Sequence, residues 1–412
     1  MGESIPPPAC PPPPLDGVKV LDLSWVMVGP VSARVLADLG ADVIKVESAK
    51  RIDPLRTLGP FKDGQSGPER SLSWHNLNAG KRSLTLNLKH PGAIEVVHRL
   101  AGWADVVLES FTPRALRGMG LTYADLSAVN PHLIMLSTSL YGQTGPWAEN
   151  TIGVGTMGAA SSGATYLIGW PDRLPTGPFG PWTDAVTPRF AVATILAALH
   201  HRSRTGAGTY IDLSQSEAGL QFLTPALLEF AVNGSAPERR GSRSPLRVPH
   251  GTYPCRGDDH WIAIDASADG SWRALAGLVG PALADRRFAT LIGRLRHRDE
   301  VDAMIAAWTR DQEGNAMERL LQSHGIAAHV ASRATDLADD PHVAATGHLR
   351  PIEDPVIGQA AIEGSRFRLT RTPAVPTRRG PLIGEHTSEI LTALVGYSEE
   401  EVAALAMSGA LE

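Results

Sequence analysis

The sequence predicts a doubly wound α/β domain joined to a second region that is smaller and mostly helical. Three observations predict it. Through the N-terminal half, short apolar runs bounded by turn residues alternate with helical patterns. Each strand, helix, strand group closes within roughly thirty residues, the span of a crossover unit, and such units imply a parallel sheet. From about residue 250 the alternation gives way to longer helical patterns.

The elements follow in order. Val18–Leu23 (VKVLDL) reads as a buried strand. Val31–Leu39 (VSARVLADL) reads as a helix that Gly40 ends, and Asp42–Val46 (DVIKV) as the second strand. Ser83–Leu88 (SLTLNL) is a strand, Pro91–Ala101 a helix opened by its proline, and Asp105–Glu109 (DVVLE) a strand. Tyr123–Val129 is a short helix and Leu133–Ser137 (LIMLS) another strand. Phe190–His201 and Ser214–Val232 are long helical patterns. Asn233–Pro249, rich in Arg, Gly, Ser and Pro, reads as a linker. Trp261–Asp265 (WIAID) opens the second region, mostly helical through Leu321, and a last helix covers Glu399–Ser408. No internal repeat of fixed period is present.

Composition excludes several classes. The chain has 412 residues, of which 43% are hydrophobic, enough for ordinary cores. A formal net charge of −5 argues against a general nucleic-acid binder, whose affinity rests on excess Lys and Arg. Cys10 and Cys255 are too few and too far apart for a disulfide framework or a paired-cysteine metal site. Free thiols fit a reducing cytoplasm. No apolar run reaches the ~20 residues of a membrane span. The N-terminus lacks the basic and apolar parts of a signal peptide. Residues 1–14, with Pro6–Pro8 and Pro11–Pro14, read as an extended leader.

Few motifs carry chemistry. Gly153-Val154-Gly155-Thr156-Met157-Gly158 matches GxGxxG, and Asp172 stands about twenty residues on, where a ribose-binding acid would be. A dinucleotide site is rejected, because that fingerprint must follow the first strand of its crossover unit. Here the first strand-to-helix turn is Ser24–Pro30 (SWVMVGP). The crowding of glycines suggests backbone angles that only glycine adopts. His200, His201 and His250 lack acid or Cys partners at ligand spacing, so no metal site is expected. Ser214 and Ser216 lie in no GxSxG elbow. Arg239, Arg240 and Arg243 read as a solvated loop. Lys81-Arg82 precedes a strand of the α/β half and reads equally well as a ligand site or as structure.

Six stretches then add up. They are Leu15–Glu47 (LDGVKVLDLSWVMVGPVSARVLADLGADVIKVE), Asn78–Lys89 (NAGKRSLTLNLK), Ala104–Leu121 (ADVVLESFTPRALRGMGL), Tyr141–Pro146 (YGQTGP), Arg202–Ser214 (RSRTGAGTYIDLS) and Gly384–Ile390 (GEHTSEI). In this order they resemble the motifs of family III (CaiB/BaiF-type) CoA-transferases. The resemblance implies a Rossmann-like large domain built from residues 15–212 and 326–412. It implies a linker at 213–249, an inserted smaller domain at 250–325, and two chains threaded as an interlocked two-ring dimer. It implies coenzyme A thioesters as substrates and no permanently bound cofactor. For the CoA site it implies Val28, Gly29 and Pro30, then Lys81 and Arg82 on phosphate, then Ser110 and Phe111, the aromatic ring against adenine. Ser48, Ser110 and Arg114 depart from the family's residues at their positions.

The family's chemistry uses one Asp carboxylate, which attacks the donor thioester and carries CoA through a mixed anhydride and an enzyme thioester. Aligned on Ser162-Gly163, that position falls on Gly155, and no acid lies between Glu149 and Asp172. The chain is therefore expected to lack the catalytic residue and to be one subunit of a hetero-oligomer whose paralogous partner carries the Asp. Tyr166–Thr183 is similar to a subgroup that moves CoA from succinyl-CoA to aromatic acids such as benzylsuccinate in toluene breakdown. The competing readings are a stand-alone CoA-ester binder, an isomerase or racemase branch pairing His75 or His132 with Asp184, and an inactive scaffold.

Overall fold

The computed structural model describes residues 11–374 and 378–412. Cys10 and most of the proline-rich leader lie outside them. The described residues divide into two compact units, one of residues 11–165, 177–236, 345–374 and 378–412, the other of residues 166–176 and 237–344.

In the first unit, β1 (Lys19–Asp22), β2 (Asp42–Glu47), β3 (Arg82–Thr85), β4 (Val106–Glu109), β5 (Ile134–Ser139) and β6 (Thr209–Ser214) form one sheet in the order β3-β2-β1-β4-β5-β6. Every neighbouring pair is parallel. The helices between them are α1 (Val28–Asp38), α2 (Leu72–Leu77), α3 (Pro91–Trp103), α4 (Pro113–Met119), α5 (Tyr123–Val129), α6 (Gly155–Ser161), α7 (Ala164–Leu167) and α8 (Trp182–Thr205). The strands read as continuous apolar runs because both faces are covered. Leu21, Ile44, Val107 and Met135 pack with Val96, Val97 and Leu100 of α3, whereas Val20, Val43, Val106 and Ile134 pack with Leu36 of α1 and Ile195 of α8. The strand order reverses between β1 and β4, which opens a crevice at the carboxyl ends where ligands of such sheets bind.

Three elements depart from expectation. The strand β6 was not anticipated, because at the sheet edge its residues alternate in exposure and include Asp212. Helix α8 begins well before Phe190; Pro188 lies inside it and breaks the helical pattern in the sequence. The Ser214–Val232 helix is two, α9 (Gln215–Leu220) and α10 (Thr224–Asn233), because Pro225 opens the second. No residue of α10 is buried, and Leu227, Leu228, Phe230 and Val232 are exposed. Residues 345–412 complete the same unit: Ile390 and Leu391 sit in the α3-side core, and Thr387 Oγ1 accepts from the Thr85 amide at 3.1 Å.

The second unit holds an antiparallel sheet of β7 (His250–Pro254), β8 (Trp261–Asp265) and β9 (Ala327–Val330). Trp272, Leu275, Phe288, Ile305 and Leu321 form its core. It continues past residue 325 because β9 pairs with β8.

Candidate functional site

The crevice is built first from the turn that follows β1. Asp22 ends the strand, and its Oδ1 accepts the Ser24 amide at 3.0 Å. Lys45 Nζ donates to the Ser24 carbonyl and lies 3.6 Å from Asp53 Oδ2. Asp53 Oδ1 in turn accepts from the amides of Val26 (3.2 Å) and Leu55 (3.0 Å). Val26 has φ 58, a value that crowds a β-branched side chain. The buried carboxylate on its amide helps to hold it there. From the other side of the crevice, Ser110 Oγ accepts the Trp25 amide at 2.8 Å and ties the end of β4 to the same turn. Gly29 is required by space: a Cβ there would lie 1.9 Å from Ser24 Oγ.

Lys81 belongs to this buried framework. Its ammonium donates to Asp22 Oδ2 (2.8 Å), Asn78 Oδ1 (2.8 Å) and the Pro30 carbonyl (2.9 Å). Those three bonds use all its hydrogens, and the residue is fully buried. Burial lowers its pKa to about 8, against the pull of Asp22. Burial alone would raise Asp22, but Lys45 and Lys81 outweigh it and hold Asp22 below the ordinary carboxylate range. Arg82 is also committed, to Asp42 (2.5 Å) and Glu389 (3.1 Å). In this structure the polar hydrogens of Lys81 and the charge of Arg82 are engaged by protein groups, so a phosphate would have to compete with Asp22 and Asp42 for them. Lys81 borders a different cavity, of about 650 Å³, with Arg350, Arg378, Arg379, Glu385 and His386.

The second wall comes from the loop after β5 and the start of α8. Gly155 carries no carboxylate, yet one stands against it. The Gly155 amide donates to Asp184 Oδ2 at 3.1 Å, and Thr183 Oγ1 donates to the Gly155 carbonyl at 3.0 Å. A Cβ on Gly155 would lie 2.8 Å from the Asp184 carboxyl carbon, and one on Gly158 would lie 2.2 Å from Thr183 Oγ1. Neither glycine, nor Gly153, has a positive φ, so these glycines serve close approach rather than a special backbone angle. Asp184 is buried in the first turn of α8. Burial pushes its pKa up to about 6, and the Gly155 hydrogen bond draws it partly back.

Asp184, Trp25, Val28, Ser110, Gly153 and Gln215 line one cavity of about 150 Å³ at the carboxyl ends of the strands. Of the expected CoA residues, Val28 and Ser110 therefore meet Asp184. Pro30 lends its carbonyl to Lys81. Phe111 packs against the α3-side core, and its amide donates to Glu109 Oε2 at 2.6 Å. Asp184 was hard to single out in the sequence because Pro188 hides the helix turn that presents it. Asp172 is exposed and pairs with Arg173. His75 is held between the Gly380 and Glu69 carbonyls, both at 3.1 Å, and exposed His132 contacts the Gly206 carbonyl. Neither histidine lines the Asp184 cavity. Among the described residues no cluster of His, Cys, Asp and Glu could hold a metal ion, and no helix is long and apolar enough to cross a membrane.

A parallel sheet with its crevice at the β1/β4 reversal, and a buried carboxylate there, is the frame of a ligand-binding α/β protein. The family model of CoA-transferase family III matches residues 15–387, and the chain belongs to that family. It is a CoA-transferase, and CoA thioesters are its substrates. It is 37% identical to a succinyl-CoA–D-citramalate CoA-transferase of Chloroflexus aurantiacus over 96% of this chain and 97% of that one. It is 32% identical to a succinyl-CoA–L-malate CoA-transferase alpha subunit from Chloroflexus aurantiacus, over 94% and 90%. A crystal structure of a CaiB/BaiF family protein from Brucella suis superposes with a TM-score of 0.83 at 32% identity, covering 93% of this chain and all of that one.

Proposed function

We propose that the chain is itself catalytic, that Asp184 is its nucleophile, and that it moves CoA from succinyl-CoA to a short dicarboxylic acid. The observation that carries this is the Asp184 carboxylate, buried without a cation beside it, at the carboxyl edge of the sheet where β1 and β4 part. An Asp184 oxygen attacks the thioester carbonyl of the donor; the C–S bond breaks, leaving CoA thiolate and an acyl-aspartyl anhydride. The thiolate then attacks the Asp184 carbonyl carbon, releasing succinate and leaving CoA as a thioester on Asp184. The acceptor carboxylate attacks that thioester, and the returning thiolate takes the acceptor acyl group. Two such exchanges balance without net proton or electron transfer.

The reading needs no Asp-bearing paralogue, so the ground for that partner falls away. A second copy of the chain is the partner we assign, supported by the exposed apolar face of α10, since large exposed apolar patches mark association. The interlocked arrangement is kept as part of this proposal. Citramalate and malate in the relatives' names favour a small dicarboxylic acceptor over an aromatic one. For the CoA phosphates we assign Arg51. It stands past the carboxyl end of β2, lacks an acidic partner among the described residues, and lies 4.9 Å over the Trp25 ring that lines the Asp184 cavity. Val28 and Ser110 border the path to the thioester, and Phe111 is kept for the adenine. The site of action we assign is the cytoplasm.

The test is covalent trapping. Incubation with succinyl-CoA followed by borohydride should reduce the thioester, and the altered residue should be Asp184. Labelling of another carboxylate, or none under turnover, overturns the assignment.

A further inference from the structure

Asp184 and Met27 line two cavities, not one. Beyond the small cavity at the strand ends lies a larger one of about 570 Å³. Its walls are mostly apolar, with Val31 and Val35 of α1 facing Val192 and Leu196 of α8. Its polar groups are mostly committed to each other. Asn76 Nδ2 donates to Glu363 at 3.2 Å and its Oδ1 accepts from Arg34 at 2.9 Å, while Arg366 pairs with Glu363 at 2.5 Å. Arg189 is different. It donates to the Ala185 carbonyl and has no carboxylate partner among the described residues.

We propose that this larger cavity receives the acyl chain, and that Arg189 binds the distal carboxylate of a dicarboxylic acyl group and so selects dicarboxylic over monocarboxylic substrates. The inference rests on Asp184 being the carboxylate that accepts the acyl group. Asp184 and Arg189 share helix α8 and are separated by about 7.5 Å of axial rise. Both line the larger cavity, so an acyl group carried on Asp184 can extend along it towards Arg189. The methylenes would lie against the valine and leucine walls. A guanidinium presents paired donors that match a carboxylate, and its charge persists at any working pH. An exposed cation at the edge of apolar walls, without the carboxylate partner that its neighbour Arg366 has in Glu363, is the arrangement such a substrate completes.

The half-reaction provides the test. The whole protein is mixed with succinyl-CoA or butyryl-CoA, acyl groups that match in carbon count and differ in the distal carboxylate. Formation of the Asp184 thioester is followed by borohydride reduction. The wild type should form it faster from succinyl-CoA. Arg189→Leu should slow the succinyl reaction roughly 10- to 100-fold, the size of a lost charge-assisted contact, and leave the butyryl reaction unchanged or faster. Arg189→Lys should recover part of the preference. Equal rates for the two donors in the wild type, or an equal loss for both in Arg189→Leu, would overturn the role of Arg189 while leaving Asp184 in place. Labelling of Asp184 by neither donor would instead remove the reading on which the inference rests.

Discussion

Asp184→Asn separates chemistry from folding in opposite directions. The substitution keeps the shape of the side chain and an oxygen for the Gly155 amide, but removes the charge. The size of the effect follows from the raised pKa. Asp184 titrates at about 6 in the folded chain against an ordinary value of 3.8, a difference that corresponds to roughly 3 kcal/mol. Below the ordinary value the carboxyl is protonated in folded and unfolded chains alike and contributes nothing. As pH rises from 3.8 towards 6 the unfolded chain gives up its proton first, so the folded state loses stability. Above that window the loss is complete and constant. Asp184→Asn should therefore be more stable than the wild type near neutral pH, by up to about 3 kcal/mol, with the advantage shrinking as pH falls through the same window. Turnover should drop to background. Wild-type rate should rise with pH through about 6 as the carboxylate ionises. Urea melts of both proteins across that range, at one protein concentration, read the stability, and CoA exchange reads the rate. A variant that keeps its turnover, or that is less stable near neutral pH, refutes the reasoning.

Lys81→Met should destabilise the fold by about 3–5 kcal/mol, because Asp22 loses a buried counter-charge. Whatever protein folds should bind CoA as the wild type does, whereas Arg51→Ala should weaken CoA binding about tenfold or more at unchanged stability. Calorimetry with CoA beside urea melts distinguishes the two, and a CoA defect with intact stability in Lys81→Met would restore the phosphate role. The chain expressed alone should scatter light as two copies, and Phe230→Asp on the exposed face of α10 should weaken that association. A fully active single-copy species speaks against it.

Much of the fold was legible because its signals are local. The run VKVLDL, the DVIKV strand and the DVVLE strand are buried on both faces, and their apolar continuity marks a parallel sheet before any contact is known. The edge strand β6 lacked that continuity, since only one side of it meets the core and Asp212 interrupts it. The candidate site was less legible because it is assembled across distance. Gly155 and Asp184 are twenty-nine residues apart and meet through one backbone amide. The resemblance implied phosphate for Lys81, and its protein acceptors at Asp22 and Pro30 were not legible because they are more than fifty residues away in the chain. A residue type says which bonds a side chain can make; only the fold says which of them are already made.

Asp22, Asp53 and Asp184, three of the buried carboxylates near the carboxyl ends of the strands, show how one residue type takes two roles. Asp22 and Asp53 sit beneath the turn after β1, each within ion-pair distance of a lysine. For Asp22 the two lysines outweigh burial, so its charge is stabilised, its lone pairs are occupied, and it is a poor nucleophile and a good strut. Asp184 is buried too, though slightly less, yet it has an amide where the others have cations. Its charge is held by weaker means, the Gly155 hydrogen bond and the first turn of α8, and its pKa rises instead. A carboxylate so placed is ionised near neutral pH but poorly compensated, which suits the nucleophile proposed above, since a covalent bond to carbon would relieve it of a charge the fold tolerates at a cost. The glycines at 155 and 158 permit this arrangement by letting the backbone approach within hydrogen-bond distance, leaving no room for a competing side chain. On this view the stability lost at Asp184 and the stability gained at Asp22 are two uses of the same desolvation, separated by whether a lysine is in reach.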